Sequence, residues 1–434
     1  MFYFWRKSSI FGNFLCGSSA IFAQFIPWNQ QIPSSLKPLQ NNAQALADLT
    51  QEQIFIYAHP YSKTFVPTLK NNPNPNVQFT SSALVVPVSS NEVAKTLTNY
   101  SQYTNVFPAL KSAQIQEQSG NITRVKYHVT LPTPIPVLNF SEDLVIQHQV
   151  EGNSISSLIV DSPMPYAMGR LEWFALTPQS TLITLTQWGD LNQPKGFLIS
   201  RILAAIPDAK LGIPASTNAF ILESLRKKWK NSAPVTLNAG QYPELKLSNE
   251  QRGQAATLSL RSAQPVSWIH RPSTVPYQHG RETMRFISTW MYMQPEPQQL
   301  EAWLQPDAFK QFFPRQIKDI KVSPNATQGL DSQFKVSVGL GVISIPFNFG
   351  LHFNFPSKLS SDYYATGGDL KFIKGKMQFT PLQQGSLLEM TNAAKIHEQA
   401  PFLLRAARSL PYHDLLPTVG ANTALSVKMK AKAK

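Results

Sequence analysis

The chain has 434 residues, 42% hydrophobic and 15% charged, which is too polar for a multi-span membrane protein and too apolar for a disordered one. Thirty-nine Lys and Arg against 25 Asp and Glu leave +14, a balance that suits anionic lipid headgroups, acidic envelope polymers or nucleic acid as partners. Proline outnumbers glycine, 34 to 20, which excludes Gly-rich phosphate loops as an organising theme, and the single cysteine, Cys16, excludes a disulfide framework or a cysteine metal site.

Residues 1–23 read as a secretory signal. Arg6 and Lys7 precede a mixed apolar stretch over 10–22, and Ala20-Ile-Phe-Ala23 offers a cleavage site after Ala23. Asn13, Gly17, Ser18 and Ser19 interrupt that stretch, so an uncleaved anchor or an ordinary buried helix stay open as alternatives. The expected location is the periplasm or cell envelope. Residues 24–76 form an N-terminal extension broken by Asn71-Asn-Pro-Asn-Pro-Asn76.

A first unit spans 77–230. A strand is predicted over 78–88, then a helix start with Ser89 and Glu92 at capping-box spacing and a stripe of Val93, Leu97, Tyr100 and Tyr103. Strands follow at 124–131, 143–150, 155–160, 169–176 and 181–187. In the first of these, Val125, Tyr127, Val129 and Leu131 share one face, and Arg124, Lys126, His128 and Thr130 the other. Helices at 197–205 and 215–230 close the unit; the last carries Asn218, Ile221, Leu222, Leu225 and Trp229 on one side. Residues 231–280 read as a linker with short strand-like runs such as 256–260, and a second unit spans 281–434.

An ordered series of matches relates the two units. Arg201, Pro207 and Asn218 recur as Arg405, Pro411 and Asn422, each 204 positions on; Thr177-Pro178 recurs as Thr380-Pro381, Phe107-Pro108 as Phe313-Pro314, and Phe79 as Phe286. The terminal stripe returns at 419–432 as Asn422, Leu425 and Met429, beside Lys428, Lys430, Lys432 and Lys434. Phe347, Phe349, Leu351, Phe353 and Phe355 alternate along one strand, as either a core-facing sheet or a ligand-contacting wall.

Strand, short helices, antiparallel strands and a C-terminal amphipathic helix make an α+β order in which the helix covers the sheet. That order, with Val85-Val-Pro-Val-Ser-Ser-Asn-Glu-Val93, Tyr100-Ser-Gln-Tyr-Thr-Asn-Val-Phe-Pro108, Gly212-Ile-Pro214, Asn218 and Leu225-Arg-Lys-Lys228, resembles the START / polyketide cyclase-like (SRPBCC) superfamily. The resemblance covers about two thirds of the chain, more weakly in unit two. It implies two tandem helix-grip domains, each a curved antiparallel sheet wrapped on a C-terminal helix around an apolar tunnel. It also implies binding of lipids, sterols, polyketides or similar ligands, and only sometimes catalysis.

The chemistry-bearing residues add little. There is no His-Glu-x-x-His, Gly-x-Ser-x-Gly or Walker loop, and Gly339-Leu-Gly341 lacks a third glycine. His270 and His279 read as residues of a solvated loop, His128 as an exposed strand residue and Glu142-Asp143 as a solvated turn. Asn218 and Asn422 are each either an N-cap or a headgroup contact; Arg201 and Arg405 are either solvated or anion-contacting. Cavity candidates are therefore Val125, Tyr127, Val129, Leu131, Asn218, Ile221, Leu222, Leu225, Phe347, Phe349, Leu351, Phe353, Asn422 and Leu425. The expected function is an exported binding or carrier protein for a lipid or other hydrophobic ligand, with no catalytic residue, cofactor or metal and no nucleic-acid partner, and with an anionic membrane surface as a further partner. The alternatives are a cyclase- or hydrolase-like enzyme using the same cavity, and a non-enzymatic envelope scaffold.

Overall fold

The computed structural model describes residues 25–433 apart from 30, 132–139, 197–199, 201–202, 205, 230–232, 278–279 and 341–342. The expected signal at 1–23, Arg201, His279 and most of the helix predicted over 197–205 lie outside the described residues. Unit one follows helix α1 (Ala43–Thr50) and strand β1 (Ile54–Ala58) with β2 (Thr80–Val86) and α2 (Ser90–Leu97). Then come β3 (Leu110–Ser119), β4 (Ile122–Leu131), β5 (Phe140–Glu151), β6 (Ser154–Asp161), β7 (Ala167–Thr177), β8 (Ser180–Gly189) and helix α3 (Ala209–Trp229). Unit two repeats the order with α4 (Asn249–Ser262), β9 (Val266–Ile269), β10 (Ile287–Met293) and α5 (Pro297–Ala302). It continues through β11 (Ile317–Pro324), β12 (Leu330–Leu340), β13 (Ile343–Ser357), β14 (Ser360–Gly368), β15 (Phe372–Pro381) and β16 (Ser386–Lys395) to helix α6 (Leu416–Lys432). The chain is thus α+β, two tandem units of antiparallel sheet and C-terminal helix.

The sixteen strands form one antiparallel sheet in the order β11-β12-β13-β14-β15-β16-β10-β9-β1-β2-β8-β7-β6-β5-β4-β3. Its centre is the β1–β9 pair, where Ile56 lies opposite Ser267. Each stands three residues before a histidine, His59 and His270, so a local two-fold axis passes between them. The segments read as an extension and a linker are therefore parts of the sheet: each supplies one helix and one central strand. Residues 256–260, read as strand-like, lie inside α4. Ser248 and Gln251 close a capping box at its start, and Ala255 and Leu258, three apart, are the buried face.

Alternation places the two layers of helix. Ile54 and Ile56 face α3, Leu222 and Leu225; Phe55 and Tyr57 face α1 and α4 on the other side, among Leu46, Leu49, Trp268 and Trp290. Helix α3 begins six residues earlier than expected and carries Pro214 inside it, so Asn218 is a helix-interior residue and not an N-cap. It is fully buried, accepts from Ser82 Oγ at 2.8 Å and donates from Nδ2 to the Thr80 carbonyl at 3.3 Å. Asn422 repeats the device by donating to Thr289 Oγ1 at 3.2 Å. Both asparagines bind strand to helix, which a buried amide must do to meet its hydrogen-bonding demand.

The two terminal helices meet at glycine. A Cβ on Gly212 would lie 2.6 Å from Gly420 Cα, and Ser216 Oγ donates to the Leu416 carbonyl at 3.2 Å. Further along α3, Glu223 and Arg226 are fully buried and ion-paired; Arg226 donates to the carbonyls of Ile269 (3.0 Å) and His270 (3.2 Å). Arg285, next to β10, closes the group on Glu223 and on Asp414 at 2.8 Å.

His270 is not in a solvated loop. It is 3% exposed, with Nε2 2.8 Å from Ser288 Oγ, which in turn lies 2.8 Å from Thr391 Oγ1. His59, Ser81 and Thr186 form the equivalent chain in unit one, with both contacts at 2.7 Å. Burial lowers His59 to about 4 and His270 to about 3. A histidine depressed in the folded state contributes stability that is whole above its ordinary value near 6.5 and is lost as pH falls toward the folded value. Each should give a slope approaching ~1.4 kcal/mol per pH unit between about pH 6 and pH 4. Urea unfolding across that window should show the slope, and His270→Gln should flatten it by about one proton. An unchanged slope in that variant would show that His270 is not held neutral.

Candidate functional site

The described structure holds an apolar cavity of about 550 Å³ between strands β4–β8 and helix α3 of unit one. Its walls are Tyr127 and Val129 of β4, Leu144 and Ile146 of β5, Leu171 and Leu185, with Ile213, Phe220 and Ile221 of α3 above. Tyr103, Phe107 and Leu110 close one end. The other unit supplies part of the rim, Leu410, Pro411 and Leu416. Tyr412 anchors that rim segment in a left-handed backbone conformation, φ 58°. Its ring meets Phe220 at 5.4 Å, its hydroxyl lies 3.2 Å from Ser224 Oγ, and the Lys227 ammonium stands 4.4 Å over its face.

Of the residues expected at the cavity, Tyr127, Val129 and Ile221 line it. Val125, Leu222 and Leu225 are fully buried in the solid core beside it, and Asn218 and Asn422 are spent on the sheet. Leu131 ends β4, at the edge of the undescribed segment 132–139. In unit two, Leu351, Phe353 and Leu425 belong to a packed core, and Phe349 stacks on Phe334 at 5.0 Å and on Phe347 at 6.1 Å. Arg405 is exposed.

Sequence reasoning missed the polar part of the site. His148 of β5 is 5% exposed, with Nε2 2.9 Å from the Tyr127 hydroxyl and Nδ1 2.8 Å from Ser157 Oγ. Tyr100 stacks on its ring at 4.4 Å. Burial pushes His148 down to about 3 and Tyr127 well above its ordinary value. Gln187 of β8 adds a further polar side chain to this floor. His128, by contrast, lies half-exposed and paired with Asp143 at 2.8 Å, Asp143 being a residue of β5 and not of a turn.

A second cavity of about 430 Å³ opens at the seam of the units, among Gln78, Asp190, Lys210 and Gln264. Lys210 Nζ already donates there to Asn192 Oδ1 at 2.9 Å. Among the described residues no group of three or more His, Cys, Asp or Glu could hold a metal ion, and no helix is long and apolar enough to cross a membrane.

No protein-family model and no curated protein matches the chain. Solved structures do. The di-domain ARO/CYC StfQ from the steffimycin biosynthetic pathway is 9% identical, over 81% of this chain and 98% of its own, with a TM-score of 0.25. A START superfamily protein from Mycobacterium smegmatis is 16% identical over 36% of this chain and 99% of its own, TM-score 0.27. A STAR-related lipid transfer protein from Xanthomonas axonopodis is 9% identical over 35% and 85%, TM-score 0.25. The fold described above stands on its own strand order and helix docking.

Proposed function

We propose that the chain binds a hydrophobic small molecule or lipid in the unit-one cavity and acts as a carrier. The observation that supports this is the cavity itself: about 550 Å³, walled by aliphatic and aromatic side chains. Sites for small molecules have this size and a few placed polar groups. Each methylene buried there contributes about 0.8 kcal/mol, so affinity needs no catalytic group. A cyclase- or hydrolase-like reading would have to use Tyr127, His148 and Ser157. With His148 near 3 and Tyr127 raised, neither is matched to proton transfer at neutral pH.

The proposal includes export to the periplasm or envelope, supported by the signal-like pattern of residues 1–23, and work at an anionic membrane surface. Lys227 and Lys228 near the end of α3 and Lys430 and Lys432 near the end of α6 support the latter, at about 1 kcal/mol per basic group at such a surface. Purification from an envelope fraction, followed by solvent extraction and mass spectrometry, should recover a bound apolar molecule from a species that begins at Gln24. Stripped protein that takes up no fluorescent lipid probe would overturn the binding reading. An intact Met1 on a cytoplasmic species would overturn export.

A further inference from the structure

The apolar wall is crossed by one polar row. His148, Ser157, Gly169 and Gln187 stand at a common register on the neighbouring strands β5, β6, β7 and β8. Paired positions share a face of the sheet, and all four residues line the cavity. Gly169 makes a notch in the row: a Cβ there would lie 3.2 Å from Gln187 Cβ and 3.3 Å from the Thr186 carbonyl oxygen. Beside the notch, Gln187 Nε2 is buried with no hydrogen-bond partner. Buried donors are nearly always paired, so this one, unpartnered within the protein on a residue that is only partly buried, is available to a group that enters the cavity once the side chain turns toward it.

Proton bookkeeping supplies a second donor. A neutral histidine has one donating and one accepting ring nitrogen. If Nδ1–H of His148 donates to Ser157 Oγ, Nε2 accepts the Tyr127 O–H, and the Ser157 proton alone is left, facing the cavity. The opposite tautomer would use the Ser157 proton on Nδ1 and strand the Tyr127 O–H, whose residue is only 2% exposed. Each arrangement leaves one hydroxyl proton unmet, and the first leaves it on the partly buried Ser157 and not on the deeply buried Tyr127, where it would cost more. The floor therefore presents Ser157 Oγ–H and Gln187 Nε2–H on the two sides of the Gly169 notch. Among the described residues it presents no cation: Arg170, the one arginine or lysine among those at the lining, holds its guanidinium against Ser154 and Glu172 on the other face of the sheet.

Resting on the binding reading above, we infer that the ligand is an apolar molecule carrying a neutral carbonyl oxygen (a ketone, ester or quinone), which seats over Gly169 and accepts from Gln187 and Ser157. A free carboxylate would be buried there with no countercharge among the described residues. A hydrocarbon would leave the Gln187 donor unmet.

Three probes of equal chain length test this: a long-chain methyl ketone, the alkane and the fatty acid, each titrated into stripped protein. The ketone should bind about tenfold tighter than the alkane, the worth of a hydrogen bond in a buried site. The fatty acid should bind more weakly than the ketone at neutral pH. Gln187→Leu should erase the ketone's advantage over the alkane, since the donor that distinguishes the two probes is gone while no hydrogen bond within the protein is lost. Gln187→Met should behave the same and guards against a folding defect peculiar to leucine. The carbonyl stretch of the bound ketone should lie lower in the wild type than in either variant. A ketone-to-alkane ratio unaltered by both variants overturns the inference while the binding reading stands. Failure of all three probes to bind the wild type overturns both.

Discussion

Replacing Glu223 by alanine should destabilise the chain by about 3–5 kcal/mol, the usual consequence of leaving a buried charge without its partner. Glu223 and Arg226 are both fully buried, and Arg285 is 8% exposed. Removing the one carboxylate between them would leave two guanidinium groups facing each other in the buried seam of α3, β9 and β10. Arg226 would keep only its bonds to the Ile269 and His270 carbonyls, and Arg285 only Asp414. The double variant Glu223→Leu with Arg226→Met should recover most of the loss, because an apolar pair of similar volume replaces a desolvated ion pair at little net cost. Urea denaturation of both variants is the measurement. A single variant that loses less than about 1 kcal/mol would mean that water already reaches the group.

Tryptophan placed at Ile221 and at Leu225 should give opposite phenotypes, although the two positions are one helical turn apart. Ile221 lines the cavity; Leu225 is fully buried in the core between helix and sheet. Ile221→Trp has empty volume to grow into, so it should stay within about 1 kcal/mol of the parent and lose more than tenfold in uptake of a lipid probe. Leu225→Trp has none, so it should cost roughly 1–3 kcal/mol by overpacking while the folded fraction still binds. Thermal unfolding and a probe titration on each variant decide it. Normal uptake by a stable Ile221→Trp protein would move the ligand out of this cavity.

The elements of unit one were legible because each half-buried strand alternates and the terminal helix carries an apolar stripe at helical spacing. The matches at an offset near 204 gave the second copy. The central strands were not legible. Ile54–Ala58 is buried on both faces, so nothing alternates, and a five-residue apolar run looks alike in strand and helix. Helix α4 is mostly polar, with Ala255 and Leu258 as its buried apolar side chains, too thin a stripe to outweigh the β-like text of 256–260. At the site, Tyr127, Val129 and Ile221 could be read because they follow an apolar pattern. His148 could not, since Gln147 and Gln149 flank it and its partners Tyr100, Tyr127 and Ser157 arrive from other strands and a helical turn. Leu225 and Ile221 are equivalent in sequence pattern; only the depth of the sheet beneath them separates core from cavity.

The β1–β9 pair also says something about the history available to such a chain. Two strands that meet antiparallel across a local two-fold, with Ile56 against its counterpart Ser267, make the contact that two identical subunits would make with each other. In a true homodimer every substitution appears twice, so a residue that opens a chamber on one side opens it on the other. Joining the copies into one polypeptide lifts that constraint without giving up the shared sheet. Here one half keeps an open chamber with a polar floor, while the corresponding wall of the other is packed with Phe334, Phe349 and Phe353. That second half lends Leu410, Pro411 and Leu416 to the lining of its neighbour's chamber.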